Sequence, residues 1–362
     1  MTNAIRKILS QVKWDLNKRK ELKKRYELTE SDEKLKKIKK AIVLQTPTHG
    51  NVGDQAIAYA QKEFLKVNLS DYHYIEIAAD DFLPKYGYLN AILNEKDIIF
   101  IHGGGNLGTI YPKEEKIRRL IIEQFKNTPI ISFPQSASFS DTTFGKRELE
   151  KSRKVYGEHS NLTIIGRESR TMEILKKEFP NISLLYTPDI VLYLNERDEK
   201  IKRNGVTTAF RKDGEVSIDS SFKEELLSKL EDSQYKLNIS DTHRGYQYHI
   251  DETNRETILE ETWNEFKSSE LVLTDRLHGM IFCAITGTPC IVFKNSNHKI
   301  EYSYKNWLSN CNFIHLAEDN KMSFDELKNI MERLIKSKPN TINLKEQYAP
   351  LVKLLEEVKT NE

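Results

Sequence analysis

Residues 271–285 read Leu271-Val272-Leu273-Thr274-Asp275-Arg276-Leu277-His278-Gly279-Met280-Ile281-Phe282-Cys283-Ala284-Ile285. The first three residues form a short apolar run with strand character. Residues 277–285 form an apolar run of helical length, so a buried strand passes directly into a buried helix. Such a junction gathers free backbone N–H groups and the positive end of a helix dipole in one place, which favours an anion. Here it also carries a fixed cation, Arg276, and a proton carrier, His278. These two are not on one face of a regular helix. They reach a common ligand only from the cap, before the helix becomes regular, with Leu277 between them turned toward the core. A strand–loop–helix unit with its polar residues at the carboxyl end of the strand is the signature of an open parallel α/β sheet.

Working outward, the same rhythm runs through the chain. Strands are expected at Ala41–Leu44, Tyr72–Ile77, Asp97–Ile101, Pro129–Phe133, Leu162–Ile165 and Ser183–Tyr186, with helices at Gln55–Val67, Lys113–Lys126, Lys146–His159 and Ser169–Phe179. After a polar stretch, Asn195–Asn204, the alternation restarts with strands Val206–Phe210, Tyr235–Ile239, Leu271–Leu273 and Cys290–Phe293. The expected fold is α/β with two Rossmann-like domains, each with a core of its own. Four segments follow: a basic amphipathic N-terminal helical segment, 1–38; an N-terminal domain on the acceptor side, 39–198; a C-terminal domain on the donor side, 199–340; and a C-terminal helix, 341–362, able to cross back to the first domain.

Composition limits the function classes. With 38% apolar and 30% charged residues, the 362-residue chain has the profile of a globular enzyme. No run approaches the ~18 apolar residues of a membrane span. The first residues lack the apolar centre of a secretory signal, and three cysteines without CxxC spacing fit a reducing cytoplasm. The net charge of +2 conceals an asymmetry: residues 1–40 hold 14 Lys/Arg against 6 Asp/Glu. Ile5, Ile8, Leu9, Val12 and Leu16 make an apolar stripe in that segment, which is either a solvated helix packed on the body or a peripheral contact with an anionic membrane surface. The remainder is net acidic and has no basic–aromatic platform, which argues against nucleic acid. His243 and His249 lack metal-ligand spacing, so no metal is expected.

The unusual residues fall after strands. These are Thr46 to Gln55, with Asn51, Gly53 and Asp54; His102 to Gly108, with Gly104 and Asn106; Pro134-Gln135-Ser136; Arg211-Lys212-Asp213; and Thr274 to Gly279. Each has a bland explanation. Gly50 and Gly53 permit turning, Asp54 caps a helix, His102 is a satisfied buried histidine, and Arg211 is a surface ion pair. The run Gly103–Gly108 matches GxGxxG, but the next strand ends Phe133-Pro134-Gln135-Ser136 without the acid a dinucleotide ribose needs. The glycines therefore read as a close backbone approach to a ligand. Five such turns together imply a cleft between two domains, lined from both sides.

These motifs resemble the polysaccharide pyruvyl transferase family. The resemblance rests on Gly50-Asn51-Val52-Gly53-Asp54, His102-Gly103-Gly104-Gly105-Asn106, Pro134-Gln135-Ser136 and Thr274 to Gly279 followed by Gly287-Thr288-Pro289, and it spans residues 40 to 300. It implies an architecture similar to GT-B glycosyltransferases. It also implies transfer of the enolpyruvyl group of phosphoenolpyruvate to two hydroxyls of a sugar, giving a cyclic ketal during exopolysaccharide or cell-surface polysaccharide biosynthesis. The family's donor-holding arginines and histidine map onto Arg211, Arg276 and His278. Leu277, Asn51, Gly53, His102, Gly104, Asn106 and Gln135 are then expected to bind substrate, with His278 as proton donor and Asp54 as base. Phosphoenolpyruvate is the donor substrate and no cofactor is implied; the acceptor is a sugar or a lipid-linked oligosaccharide. The rival reading is a GT-B glycosyltransferase using a nucleotide sugar. Such enzymes usually hold the ribose with a carboxylate in the C-terminal domain's helix, and Leu277 to Ala284 holds none. A catalytically idle scaffold is a further rival, and it predicts partial loss of Asp54, Arg211, Arg276 and His278, all of which are present.

Overall fold

The computed structural model describes residues 3–211, 219–233, 235–245, 247–295, 298–318 and 322–360. Lys212 and Asp213 lie outside them. The first domain is built on β1 (Lys40–Thr46), β2 (His73–Ala78), β3 (Ile98–Ile101), β4 (Gly104–Gly108), β5 (Ile130–Ser138), β6 (Leu162–Gly166) and β7 (Ser183–Tyr186). The order is β2-β1-β3-β5-β6-β7, with β4 added beside β5, and the paired strands are parallel. The second domain holds β8 (Val206–Ala209), β9 (Leu237–Ile239), β10 (Leu271–Thr274), β11 (Cys290–Phe293) and β12 (Ile314–Ala317), ordered β12-β11-β10-β8-β9 and again parallel.

Both sheets follow one plan. The first strand of each domain sits beside the second on one side and the third on the other, so the order reverses between β1 and β3 and between β8 and β10. In open parallel sheets that reversal opens a crevice beyond the strand ends. Residues 46–54 and 102–106 lie at one crevice; Arg211 and residues 275–278 lie at the other. Burial on both faces explains the near-continuous apolar runs of β1, β3 and β10, which are buried throughout.

Each domain keeps an apolar cluster of its own, around Ile99 and Leu120 in the first and around Leu273 and Met331 in the second, and a third cluster joins the two. A continuous apolar cluster runs from Val43, Phe64 and Phe100 in the first domain to Trp263, Phe282 and Val292 in the second. Helix Val52–Asn68 packs on helix Arg255–Lys267, with Tyr59 edge-on to Trp263 at 5.7 Å. The final helix, Ala349–Thr360, returns to the first domain. Leu351 and Leu355 enter the shared core, Tyr348 Oη donates to the Asp189 carbonyl at 2.6 Å, and Lys359 Nζ donates to the Asn68 carbonyl at 2.7 Å. This is the two-domain arrangement of GT-B proteins, with the halves joined by apolar packing.

The glycine run 103–108, read from sequence as a turn, is in part the strand β4. Gly104 and Gly108 take φ of +114° and +111°, and Gly108 lies so close to Ser138 that a Cβ would sit 2.1 Å from its carbonyl oxygen. Glycine here permits a strand to run tight against β5, and the pattern of glycines hides the strand because no side chains mark its faces.

Candidate active site

A cavity of about 330 Å³ lies where the two crevices face each other. From the first domain it is lined by His49, Asn51, Asp54, His102, Asn106 and Arg167; from the second by Arg211, His243, Arg276, Leu277, His278 and Lys299. Two helix N-termini open onto it. Helix Val52–Asn68 is capped by Asn51, whose Oδ1 accepts from the Gly53 N–H at 3.1 Å. Helix Leu277–Thr286 has Arg276 at its N-cap in an extended conformation. Arg276 and His278 therefore reach one cavity from the cap, while Leu277 between them is buried in the shared core and touches the cavity as well. Thr274 shapes the cap: its hydroxyl donates to the Ala209 carbonyl at 2.7 Å and accepts from Arg276 N–H at 3.1 Å. Gly279 is required beneath it, because a Cβ would lie 2.4 Å from Thr274 Oγ1.

Carboxylates position the site loops: Asp275 and Asp189 are buried, and Asp241 is partly exposed. Arg276 pairs with Asp241 at 2.6 Å. The main-chain N–H of Arg211 donates to Asp275 Oδ1 at 2.7 Å, tying the two loops of the second domain together. Arg167, buried at the end of β6, donates to Asp189 at 2.5 Å and to Ser136 Oγ at 2.8 Å. Asp189 also lies 3.7 Å from His278 Nε2. Burial alone would raise the Asp189 carboxyl, but Arg167 and His278 outweigh it and hold the group well below the usual carboxylate range. A buried anion thus links an arginine of one domain to the histidine of the other. His278 is also seated against Gly53, where a Cβ would fall 2.4 Å from its Nδ1.

His102 is of a different kind. It is buried, its Nδ1 sits 3.3 Å from Gln61 Oε1, and desolvation pushes its pKa down to about 4, so it is neutral near pH 7. Its Nε2 has no protein partner. Asp54 sits 3.8 Å from His49 Nε2. Asn106 is fixed by Arg118, which donates to its side-chain and main-chain oxygens and pairs with Glu115 at 2.7 Å. Gln135 does not line the cavity: its Nε2 donates to the His102 carbonyl at 2.6 Å, and so sets that loop from behind. Gly53 and Gly104 also stand behind the lining.

A family model for polysaccharide pyruvyl transferases matches residues 51–297, about two thirds of the chain. The chain belongs to the polysaccharide pyruvyl transferase family. It is 38% identical to General stress protein 30 of Bacillus subtilis, over 87% of this chain and 90% of that one. It is 27% identical to Pyruvyl transferase 1 of Schizosaccharomyces pombe, over 76% and 71%. A functionally uncharacterized Klebsiella pneumoniae protein of known structure shares the fold, with a TM-score of 0.53 and 18% identity, over 77% of this chain and 93% of that one.

For this pyruvyl transferase family member the sequence reading left out Arg167, Asp189, Asp241, His243 and Lys299. The first two were within reach, since Gly166-Arg167-Glu168 and Thr187-Pro188-Asp189 follow β6 and β7 as the other site turns follow their strands. His243 was not. It reaches the cavity because its loop docks on the first domain, where Asn51 and His243 form an antiparallel bridge and Val52 N–H donates to the Thr242 carbonyl at 2.8 Å. His249, considered with it, instead sits largely exposed, 3.3 Å from Asp251. A hub behind these loops locks the domains. Arg255 donates to both Glu76 oxygens at 2.5 and 3.0 Å and to Gln55 Oε1 at 2.8 Å, and Gln55 Nε2 in turn donates to the carbonyls of Pro47, His49 and Ile250.

Proposed function

We propose that the cleft moves the enolpyruvyl group of phosphoenolpyruvate onto two hydroxyls of one sugar residue, forming a cyclic pyruvate ketal on a cell-surface polysaccharide or its precursor. The observation that carries the reading is the convergence of Arg211, Arg276 and His278 at the N-terminus of helix Leu277–Thr286, facing a second helix N-terminus across the cavity. A small trianion with a carboxylate and a phosphate suits guanidinium donors and helix-end N–H groups. In this reading Arg211 and Arg276 hold the anionic groups and Lys299 adds charge beside Gly105.

The chemistry then follows from the bonds to be changed. His278 gives a proton to the enol methylene, leaving a cationic carbon stabilised by its ester oxygen. A sugar hydroxyl adds there and its proton passes to Asp54 or back to histidine. The C–O bond to phosphate breaks, phosphate leaves with the bonding pair, and the second hydroxyl closes the ring as its proton is taken up. One proton enters the methyl group, and the two lost from the hydroxyls restore the acid and protonate phosphate. Asp189 orients the His278 ring for the first step.

The test is thermal-shift and calorimetric titration with phosphoenolpyruvate and with uridine and guanosine diphosphates, on the wild type and Arg276→Ala. Binding of phosphoenolpyruvate alone, lost in the variant, is expected and opens an acceptor screen scored by phosphate release. Tight nucleotide binding without a phosphoenolpyruvate response would overturn the reading in favour of a nucleotide-sugar glycosyltransferase.

A further inference from the structure

The N-terminal helix Asn3–Leu22 has two apolar sides. One is used: Trp14 and Leu22 pack against the first domain's core, Lys116 stands over the Trp14 ring at 4.2 Å, and Lys18 pairs with Glu123 at 3.4 Å. The opposite side bears Leu9, Val12 and Leu16, which are 50%, 49% and 63% exposed. At 100° per residue these three fall within a sector of about 60°, with Lys13 and Lys20 along one border and Arg19 along the other, all exposed. Residues 1–25 contain nine Lys/Arg and two Asp/Glu. Those acids are turned away from the stripe: Asp15 faces Lys116 and Glu21 lies 3.7 Å from Lys24.

We infer that this face rests on an anionic lipid bilayer. An apolar stripe bordered by cations is the pattern of a helix lying in the interface plane, where buried side chains and attraction to acidic headgroups act together. The helix is too polar to cross a membrane, and among the described residues none qualifies as a span. Position supports the assignment. Residue 14 meets 116 and residue 18 meets 123, so this helix runs in the same sense as helix Pro112–Gln124. The Leu9 end therefore points toward Ile110 and Tyr111, which are 42% and 44% exposed, and Tyr111 lines the cleft. A bilayer under the helix would lie beside the mouth of the cavity, where a lipid-linked acceptor would present its sugar.

The inference concerns binding alone, and its readout needs no donor or acceptor, so its failure is distinct from failure of the pyruvyl reading. The full chain is sedimented with vesicles of phosphatidylcholine alone or mixed with phosphatidylglycerol. Two variants are compared, Leu9→Gln/Val12→Gln/Leu16→Gln and Lys13→Gln/Arg19→Gln/Lys20→Gln, each checked by circular dichroism. The wild type is expected to bind only the anionic vesicles and to be released by salt, with partitioning at least about tenfold weaker in each variant. A Leu9→Trp reporter should shift its emission to the blue on anionic vesicles. Absence of wild-type binding would overturn the inference. So would binding unchanged in both variants, or a concentration-dependent dimer that the glutamine variant abolishes without any vesicle binding.

Discussion

Gly53→Ala tests the cross-domain seat of His278 most directly. Position 53 lies in the first turn of helix Val52–Asn68, where alanine is the better helix former by up to about 1 kcal/mol. The added Cβ, however, would stand 2.4 Å from Nδ1, 2.6 Å from Cγ and 2.8 Å from Cβ of His278. Ordinary contact needs about 3.5 Å, so the ring must retreat by about 1 Å. Asp189 stands 3.7 Å away on the side toward Arg167, and the ring is only 11% exposed. Overpacking of this kind costs about 1–3 kcal/mol, so the variant should be between neutral and about 3 kcal/mol less stable. For the proton donor proposed at His278, a displacement of about 1 Å costs roughly a hundredfold in rate, near 2.7 kcal/mol of transition-state stabilisation. The expected kcat/KM, from phosphoenolpyruvate-dependent phosphate release, falls accordingly. In the His278→Ala background the overlap is gone. There Gly53→Ala should stabilise by up to about 1 kcal/mol and leave the residual activity unchanged. Thermal unfolding of the four proteins closes the cycle without substrate. Wild-type activity in Gly53→Ala, or the same loss of stability in both backgrounds, would refute the argument.

Other outcomes follow from groups around the cleft. Asp189→Asn keeps the shape but leaves the buried Arg167 charge only the more distant Glu168, at 4.0 Å, so denaturant titration should show a loss of about 3 kcal/mol; a loss below about 1 kcal/mol would mean that Glu168 or water replaces the carboxylate. In the wild type, the stability from this depressed carboxyl is complete above its unfolded value near 3.9 and is lost only as pH falls below it. His102 acts at higher pH. Its folded value is about 4 against an unfolded value near 6.5, so the unfolded chain takes up the proton first and stability declines as pH drops through that window, by about 3 kcal/mol in total. His102→Gln should flatten the decline in melting temperature between pH 6.5 and 4, and an unchanged slope would contradict it. Cys283, Cys290 and Cys311 are buried free thiols, and burial pushes Cys283 well up and Cys311 up to about 12. A thiol-specific reagent at pH 8 should find none reactive in the native protein and three after denaturation.

Much of this molecule could be read from local pattern. The strand-to-helix passages at 41–55 and 271–285 announce parallel sheets, because two-sided burial leaves uninterrupted apolar runs. The rule that ligands gather beyond strand ends then picks out Asn51, Asp54, His102, Arg211, Arg276 and His278 without coordinates. Gly104 and Gln135 were found by the same rule but stand behind the cavity wall, since a strand end identifies a neighbourhood and not which atoms face inward. β4 and β12 do not show in the pattern: the first is mostly glycine, and the second, Ile314–Ala317, has its apolar run broken by His315.

What the sequence by itself determined is most of the elements, their alternation and the turns that carry polar residues, because these depend on neighbours a few residues apart. Only the tertiary structure decided that a third core joins the halves through Tyr59, Trp263 and Phe282, that Asp189 couples Arg167 to His278, and that His243 meets Asn51. These pairings join residues far apart in the chain, and their strength comes from burial and low dielectric that exist only once the domains have packed.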